Sequence, residues 1–390
     1  MVNYSDEEIC MGALPEEGST YGEVTPPIYQ STIFTKSSFE TFTKEQSEED
    51  QHFVYSRGTN PTVQVLEKKL AMLERAEACK CFGSGMGAIS AVWMTLLKAG
   101  DHVLFMNNIY GPTLQLAAHM ERFGIEYTVF DHEQGRAVEE GIKENTRLIY
   151  LESPGTMKMK VVDIKHIADA AKKRGIYTMM DNTWATPLFQ KPITLGVDIV
   201  IHSLTKYIGG HSDVVGGAVI SSHAMIKQLF FSGYQLFGSV LQADSAAMII
   251  RGLRTLPLRM KQHQDNALQV ISYLESRPEV KAVHHPAADK QNRVLIEQQL
   301  LGYAGLLSFE LEDAGFEKVA AFINHLTVFR IGTSWGGYES LVNSPLKKNN
   351  HEQLKAQGFD LGMIRLSVGL EGADMQIKDL ERGFQAIAAY

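Results

Sequence analysis

The chain has 390 residues, which is long enough to bury a large hydrophobic core and to form two domains. Apolar residues make up 44% and charged residues 21% of the sequence, close to the usage of ordinary globular proteins. The net charge of −8 at pH 7 argues against nucleic acid or an anionic membrane as the main partner.

Targeting and redox signals are sparse. The N-terminus lacks a basic region followed by an apolar one, so we expect no signal peptide. Every apolar run is too short for a membrane span. Three cysteines are too few for a disulfide framework, and Cys79 and Cys81 lack the spacing of zinc or redox pairs. The sequence therefore predicts a protein of the cytoplasm.

Residues 1–60 contain few periodic segments, a proline pair at Pro26 and Pro27, and an acidic patch over residues 45–50. Such a stretch seldom folds alone, so we expect an N-terminal arm that contacts a neighbouring subunit. Apolar residues at helical spacing then predict a helix over residues 62–73.

Residues 61–250 alternate short apolar runs with amphipathic stretches. The clearest predicted helix begins after Asp163 as its N-cap and ends at Gly175. Repeated strand and helix signals predict an α/β domain with a mostly parallel sheet. The predicted strands are 103–105, 148–151, 177–180 and 199–201.

The pattern changes in residues 251–390. A long polar helix is predicted over 259–276, and residues 305–311 and 364–368 alternate as half-buried strands do. These features predict a smaller C-terminal α+β domain.

Lys206 occupies an unusual place, directly after the apolar strand predicted at 198–203. In open α/β sheets, ligands bind at the carboxyl ends of the strands. A lysine in a partly dry pocket there can form a Schiff base with a carbonyl compound. The alternative is an ordinary surface lysine in a loop.

The glycine-rich turn Gly83-Ser-Gly-Met-Gly87 lies between a predicted strand and an apolar helix. Free backbone N–H groups at such a helix N-terminus suit a phosphate. Gly83, Gly85 and Ala88 also satisfy the dinucleotide fingerprint, but that site needs an acid at the end of the next strand, where Asn107 and Asn108 stand. A single-phosphate site is therefore favoured over a dinucleotide site.

Asp181 ends a predicted strand one unit before Lys206. Such a residue is often a helix N-cap. Its alternative role is to pair with a cationic ring nitrogen, since a Schiff-base lysine and an acid partner for a pyridinium indicate pyridoxal phosphate.

Three further residues near these positions have two interpretations each. Ser203 and Thr205 flank the lysine and either form a turn or help to hold a phosphate. Tyr110 belongs either to the core or to a cofactor site, where its ring would stack on a second ring.

The C-terminal region offers a candidate carboxylate site. Arg365 lies on the strand face opposite its apolar neighbours and is either solvated or a bidentate partner for a substrate carboxylate. The glycine pair in Ser334-Trp-Gly-Gly-Tyr-Glu-Ser340 indicates either a tight turn or close approach to a ligand.

Two other classes of site find no support. His202, His211 and Asp213 match no common metal-ligand spacing, so no metal site is predicted. No Gly-x-Ser-x-Gly sequence follows a strand, which argues against a serine hydrolase of that type.

Taken together, these motifs resemble the cysteine/methionine-metabolism family of pyridoxal-phosphate enzymes (fold type I), in order and over nearly the whole chain. The resemblance implies an aspartate aminotransferase-like large domain with a smaller C-terminal domain. The matching segments are Tyr55-Ser-Arg57, Asn60-Pro-Thr62, Gly83-Ser-Gly-Met-Gly87, Glu152-Ser-Pro154, Asp181-Asn-Thr183, Ser203-Leu-Thr-Lys206, Arg251-Gly-Leu-Arg-Thr255 and Arg365-Leu-Ser-Val-Gly-Leu-Glu371.

The resemblance also implies a role for each candidate residue. Lys206 would hold the cofactor covalently and act in catalysis together with Tyr110, which would stack on the ring, while Asp181 would pair with the ring nitrogen. The phosphate would be held by the backbone of Gly85 and Met86 and by Ser203 and Thr205, joined by Tyr55 and Arg57 from a neighbouring subunit. The substrate carboxylate would be bound by Ser334, Trp335 and Arg365. The family forms homotetramers built from two active dimers.

Within the family, Ser334 to Ser340 and Tyr110 to Thr113 are most similar to bacterial cystathionine β-lyases. This implies elimination from L-cystathionine to homocysteine, pyruvate and ammonia in methionine biosynthesis. Cystathionine γ-lyase, methionine γ-lyase, cysteine desulfhydrase and a non-catalytic regulator or scaffold are the alternatives. Two departures bear on them: Pro112 replaces the cysteine usual in methionine γ-lyases, and Ser153-Pro-Gly-Thr-Met157 replaces the common Ser-x-Asn-Pro, which removes an expected contact to the ring hydroxyl.

Overall fold

The computed structural model describes residues 4–12, 21–106, 109–130 and 137–388, so Asn107 and Asn108 of the dinucleotide comparison lie outside the described residues. The strands are β1 (Ala78–Phe82), β2 (His102–Met106), β3 (Glu126–Phe130), β4 (Thr146–Glu152), β5 (Tyr177–Asp181), β6 (Ile199–Ser203), β7 (Gly217–Ser221), β8 (Val280–His284), β9 (Leu306–Leu311), β10 (Arg330–Ile331), β11 (Leu341–Asn343) and β12 (Met363–Ser367).

The α-helices connect these strands and cover the sheets. They are α1 (Asp6–Met11), α2 (Phe39–Ser47), α3 (Pro61–Leu73), α4 (Gly85–Leu96), α5 (Gly111–Met120), α6 (Val138–Gly141), α7 (Ile164–Lys172), α8 (Thr186–Phe189), α9 (His223–Leu229), α10 (Ala243–Leu253), α11 (Leu256–Glu275), α12 (Arg293–Gln299), α13 (Phe316–Asn324), α14 (His351–Ala356) and α15 (Ala373–Ile387).

The larger sheet has seven strands in the order β1-β7-β6-β5-β4-β2-β3. Only β7 runs antiparallel to its neighbours among these strands, so the predicted mostly parallel α/β sheet is confirmed. Because β4, β5 and β6 are parallel, their last residues, Glu152, Asp181 and Ser203, meet at one edge. That edge forms the floor of the candidate site.

The smaller sheet has five strands in the order β10-β11-β12-β9-β8. The predicted α+β character is confirmed, but the half-buried alternation expected for residues 305–311 is wrong, because every residue of β9 is buried. Leu306 packs in the cluster that includes Tyr207, whereas Leu307 and Phe309 pack in the C-terminal cluster. The strand therefore lies between two apolar layers.

The N-terminal region is partly integrated into the chain's own core. Ile9 and Cys10 of α1 are buried in the same cluster as Leu66 and Leu70 of α3, and Lys69 donates to the carbonyl of Ile9 at 3.0 Å. The division at residues 60 and 250 stays a prediction, and α10 runs across residue 250.

The helix predicted after Asp163 is confirmed, with Asp163 accepting the N–H of His166 at 2.9 Å. It ends at Lys172, before the predicted stop, and Gly175 instead takes a left-handed φ of 66° in the following turn.

Arg259 of α11 anchors the turn that carries Lys206. Its guanidinium donates to the carbonyls of Tyr207 at 2.6 Å and Gly252 at 2.8 Å, and to the hydroxyl of Thr255 at 3.0 Å. Burial lowers the pKa of Arg259 to about 10. A buried cation thus supplies a donor to the Tyr207 carbonyl and adds to the hydrogen bonds that the Gly252 carbonyl already accepts from Thr255.

We expect Arg259→Leu to lower the free energy of unfolding by about 3 kcal/mol, since the Tyr207 carbonyl loses its donor and Gly252 and Thr255 each lose a hydrogen bond. Denaturant unfolding monitored by circular dichroism measures the change. Lys261→Ala, at an exposed position on the same helix, should change it by less than about 0.5 kcal/mol. Equal effects of the two substitutions would contradict the anchoring role.

Candidate active site

A cavity of about 230 Å³ opens at the carboxyl edge of β4, β5 and β6. Its walls come from both sheets, and most of the sequence-predicted site residues line it. These are Gly85, Met86, Tyr110, Asp181, Ser203, Thr205, Lys206, Trp335 and Arg365.

Lys206 lies in the turn after β6, where its N–H donates to the carbonyl of Ser203 at 3.1 Å. Its Nζ donates to Ser334 Oγ at 2.5 Å and lies 5.3 Å from the ring centroid of Trp335. Burial, and then the positive charge of Arg365, lower the pKa of Lys206 to about 8, against an opposing effect of Asp181. The amine is therefore far easier to deprotonate than that of a surface lysine.

Asp181 is the last residue of β5 and opens onto the cavity on one side. Its Oδ1 accepts the N–H of Thr183 at 2.9 Å, so it closes a local turn and does not cap the next helix, α8. Burial raises the pKa of Asp181, while the Thr183 hydrogen bonds act in the opposite direction. A cation placed in the cavity would favour the ionised form.

Glu152, quoted in the sequence motif but given no role there, is a site residue that sequence reasoning missed. It ends β4 directly beside Asp181, is buried, and lines the cavity. Burial, and then the charge of Asp181, raise the pKa of Glu152 to about 8. The signal available in the sequence was an acid at the end of the predicted strand that precedes the Asp181 strand along the chain.

The glycine turn begins α4 with Ser84 as N-cap, whose Oγ accepts the N–H of Gly87 at 3.0 Å. Within the described part of the chain, the N–H groups of Gly85 and Met86 make no hydrogen bond, and both residues line the cavity. A Cβ at Gly85 would lie 3.2 Å from Ser203 Cβ, so the turn and Ser203 are in close contact. These free donors at a helix N-terminus suit a phosphate.

Thr205 is tied to the backbone of Gly216, whose N–H donates to Thr205 Oγ1 at 3.1 Å. Tyr110 is the N-cap residue of α5, but its side chain makes no capping hydrogen bond. The residue is 44% exposed, so its ring is accessible at the cavity mouth. Both positions are compatible with the contacts that the resemblance implies.

The C-terminal sheet supplies the opposite wall. Arg365 of β12 donates to the carbonyl of Ser334 at 3.4 Å, and burial lowers the pKa of Arg365. Ser334 takes a left-handed φ of 75°, uncommon for a residue with a Cβ, and this directs its Oγ to Lys206. Ser334, Trp335 and Arg365 therefore meet beside the lysine.

Tyr55 and Arg57 lie outside this cavity. They line a separate one of about 190 Å³, together with residues 29–32 and 240–243 of the same chain. Tyr55 is 41% exposed, and the guanidinium carbon of Arg57 lies 5.4 Å from its ring centroid.

Sequence reasoning also missed the apolar lining of the cavity, which includes Ile89, Met159, Trp184, Val215 and Leu306. These residues are distant in sequence and carry no motif. His202 belongs to the core, where its Nε2 lies 2.6 Å from Glu74 Oε1. Across the described ranges, no group of three His, Cys, Asp or Glu side chains is arranged to hold a metal ion, and no helix is long and apolar enough to cross a membrane.

The donor set fits a phosphorylated pyridine aldehyde. Lys206 is an easily deprotonated amine, Asp181 faces the same cavity, and the Gly85 and Met86 N–H groups lie at its far wall. The aldehyde, the ring nitrogen and the phosphate of such a cofactor therefore each have a partner of suitable chemistry.

Comparisons with known proteins agree with this fit. Residues 8–385 match the family described as Cys/Met metabolism PLP-dependent enzyme. An L-methionine gamma-lyase from Fusobacterium nucleatum subsp. polymorphum is 39% identical over 375 residues, covering 94% of this chain and 95% of that protein. The cystathionine beta-lyase MetC of Bacillus subtilis (strain 168) is 36% identical over 379 residues, covering 95% of this chain and 94% of that protein.

Among solved structures, cystathionine gamma-lyase from Lactobacillus plantarum complexed with L-serine superposes with a TM-score of 0.90 at 34% identity, covering 98% of this chain and 99% of that one. The expected fold is confirmed, and pyridoxal phosphate is the cofactor. The chain belongs to the Cys/Met metabolism family of pyridoxal-phosphate-dependent enzymes, which includes carbon–sulfur lyases.

Proposed function

We propose that the enzyme catalyses α,β-elimination of L-cystathionine to homocysteine, pyruvate and ammonia. The observation that carries the proposal is the position of Lys206 Nζ between Ser334 and Trp335, beside Arg365. The similarity to MetC of Bacillus subtilis supports β-elimination. γ-Elimination is the second candidate, because a methionine gamma-lyase at 39% identity and a cystathionine gamma-lyase at 37% identity are more similar to this chain than MetC is.

Bound pyridoxal phosphate would supply the electron sink for cleavage at the substrate's α-carbon. In this proposal Lys206 holds the cofactor covalently at rest, and its released amine accepts the α-proton. Arg365 binds the α-carboxylate with Ser334 and Trp335, and Asp181 keeps the ring nitrogen protonated. Tyr110 covers the ring at the cavity mouth and limits access of water.

The lowered pKa of Lys206 predicts the pH dependence of cofactor attachment to the apoprotein. Only the neutral amine attacks an aldehyde, so the rate should rise with pH and level off above about 8, whereas an ordinary lysine would level off near 10.5. Stopped-flow measurement of visible absorbance gives this profile.

Arg365 variants provide the control for that profile. The Arg365 charge disfavours the Lys206 ammonium, so Arg365→Leu should raise the pKa of Lys206 and move the profile to higher pH. Arg365→Lys keeps the charge and should keep the profile. An identical midpoint in the wild type and Arg365→Leu would refute the electrostatic explanation.

A substrate panel tests the reaction itself. We expect the yellow holoenzyme to release homocysteine and pyruvate from L-cystathionine, and Lys206→Ala to lose both covalently bound cofactor and turnover. Chromatography of the keto acids and thiols separates the outcomes. Formation of cysteine and 2-oxobutyrate would show that the enzyme catalyses γ-elimination and not β-elimination. Full turnover by the Lys206→Ala protein would contradict the catalytic role of the lysine.

We also propose that Tyr55 and Arg57 complete the site of a second copy of the chain, within a homotetramer of two active dimers. Their placement in a separate cavity supports this, as do nearby exposed apolar side chains that a partner would cover, including Ile28, Tyr29 and Ile33. The cytoplasmic location stays a prediction from the sequence.

Subunit mixing tests the shared site. Lys206→Ala and the double variant Tyr55→Ala/Arg57→Ala should each be nearly inactive, but their hybrids contain one intact site per dimer. Co-expression should therefore restore about a quarter of the wild-type activity after random assortment. No recovery in hybrids verified by mass spectrometry would mean that each site is built from one chain.

A further inference from the structure

Glu152 and Asp181 form a pair of carboxyl groups at the carboxyl edge of the large sheet. They are register partners on the adjacent parallel strands β4 and β5, so their side chains share a face and both line the cavity. Glu152 is only 6% exposed. Two neighbouring carboxyl groups in a poorly solvated place do not both ionise readily, so one of them retains a proton.

The hydrogen-bond partners of Glu152 identify which one. Its Oε1 accepts the N–H of Tyr110 at 2.8 Å, and its Oε2 lies 3.0 Å from Thr156 Oγ1. Both partners are neutral, and among the described residues no lysine, arginine or histidine forms an ion pair with Glu152. The Thr156 hydroxyl can accept as well as donate, so a protonated Oε2 fits the same geometry.

Asp181 has the opposite surroundings. Burial raises the pKa of Asp181, but the hydrogen bonds from Thr183 and then the charges of His202 and Lys206 act in the opposite direction. The ring nitrogen of the cofactor would add a further cationic partner. Of the two carboxyl groups, Asp181 therefore ionises more readily than Glu152.

We propose that Glu152 is a positioning residue that stays protonated in the resting enzyme, so that Asp181 is the single ionised carboxylate at this edge. Through its hydrogen bonds to Tyr110 and Thr156, Glu152 also connects the two segments that carry these residues. The inference rests on the cofactor assignment and not on the choice of substrate. It also gives the segment after β4 a function in this chain, where the family's usual Ser-x-Asn-Pro is absent: Thr156 binds Glu152.

The charged and titratable groups that face Glu152 decide its pH response. They are Asp181 from β5, Tyr150 from β4, Tyr110 at the start of α5, and Lys206 and Arg365 across the cavity. Asp181 and burial hold the proton on Glu152, so it should leave only at alkaline pH. A second negative charge then appears near Lys206, where it disfavours deprotonation.

Infrared difference spectroscopy of the holoenzyme tests the protonation directly. At neutral pH, the wild type should show the carbonyl stretch of a protonated carboxylic acid, which disappears at alkaline pH and is absent in Glu152→Gln. The visible absorbance of the bound cofactor should show an alkaline component with the same midpoint, which Glu152→Gln also removes. A merely structural glutamate would produce neither signal.

Two further variants predict opposite shifts of that midpoint. Asp181→Asn, measured as the apoprotein against wild-type apoprotein, removes the neighbouring charge and should lower it. Thr156→Val removes a hydrogen bond that favours the carboxylate and should raise it. A wild-type spectrum without the band, a band unchanged in Glu152→Gln, or shifts of the reverse sign would overturn the proposal.

The linking role has a separate readout in cofactor affinity. Glu152→Gln can still accept from Tyr110 and donate to Thr156, whereas Glu152→Ala can do neither. We expect Glu152→Ala to bind pyridoxal phosphate about tenfold more weakly than Glu152→Gln, the effect of losing two neutral hydrogen bonds. Equal dissociation constants, measured by fluorescence titration of the apoproteins, would exclude this role.

Discussion

Removal of water from the Lys206 amine is the constraint on which the rest of the site depends. The lysine follows a strand of the large sheet, whose domain supplies most of the cavity lining, and Trp335, Arg365 and Leu306 of the C-terminal part complete that lining. Burial by residues of both parts, and then the charge of Arg365, lower the pKa of this lysine. The two parts of the chain must therefore be held together with little freedom at the turn after β6.

Several contacts provide that restraint. The Tyr207 hydroxyl accepts the N–H of Gly305 at 2.8 Å, and its ring lies 5.6 Å from that of Trp335. A Cβ at Gly336 would lie 2.9 Å from the Tyr207 nitrogen, so the loop after Trp335 can approach the lysine turn only because this residue is glycine. The turn is therefore hydrogen-bonded to Arg259 of α11 through the Tyr207 carbonyl and to Gly305, before β9, through the Tyr207 hydroxyl.

Elements determined by local pattern were predictable from the sequence. Strands β2, β4, β5 and β6 follow from short apolar runs, and Lys206 and Asp181 stand out because each follows or ends such a run. β9 was mispredicted because Ser308 and Glu310 look solvent-facing, yet Glu310 binds His284 of the adjacent strand at 2.8 Å. This cross-strand pairing satisfies the Glu310 carboxyl group, and the periodicity of the sequence does not indicate which strand lies beside β9.

Glu152 was missed for a related reason. A glutamate at a strand end is common, and it becomes unusual only when strand order places it beside Asp181, which the sequence does not state. The apolar cavity lining is likewise assembled from distant segments. Cavity residues with a distinctive side chain in a local motif were therefore predictable, whereas cavity residues whose place depends on strand order or on distant segments were not.

The charges of the cavity explain why the number of ionised carboxylates matters. Arg365 donates to a backbone carbonyl and forms no ion pair within the described ranges, so it is a half-buried cation without an acidic partner. Such a cation favours an anion that enters with the substrate, which an amino acid's α-carboxylate provides. An ionised Glu152 would partly neutralise the field of Arg365 and raise the pKa of Lys206. In the proposed arrangement, a protonated Glu152 would leave Asp181 to stabilise the ring nitrogen and Arg365 to attract the substrate.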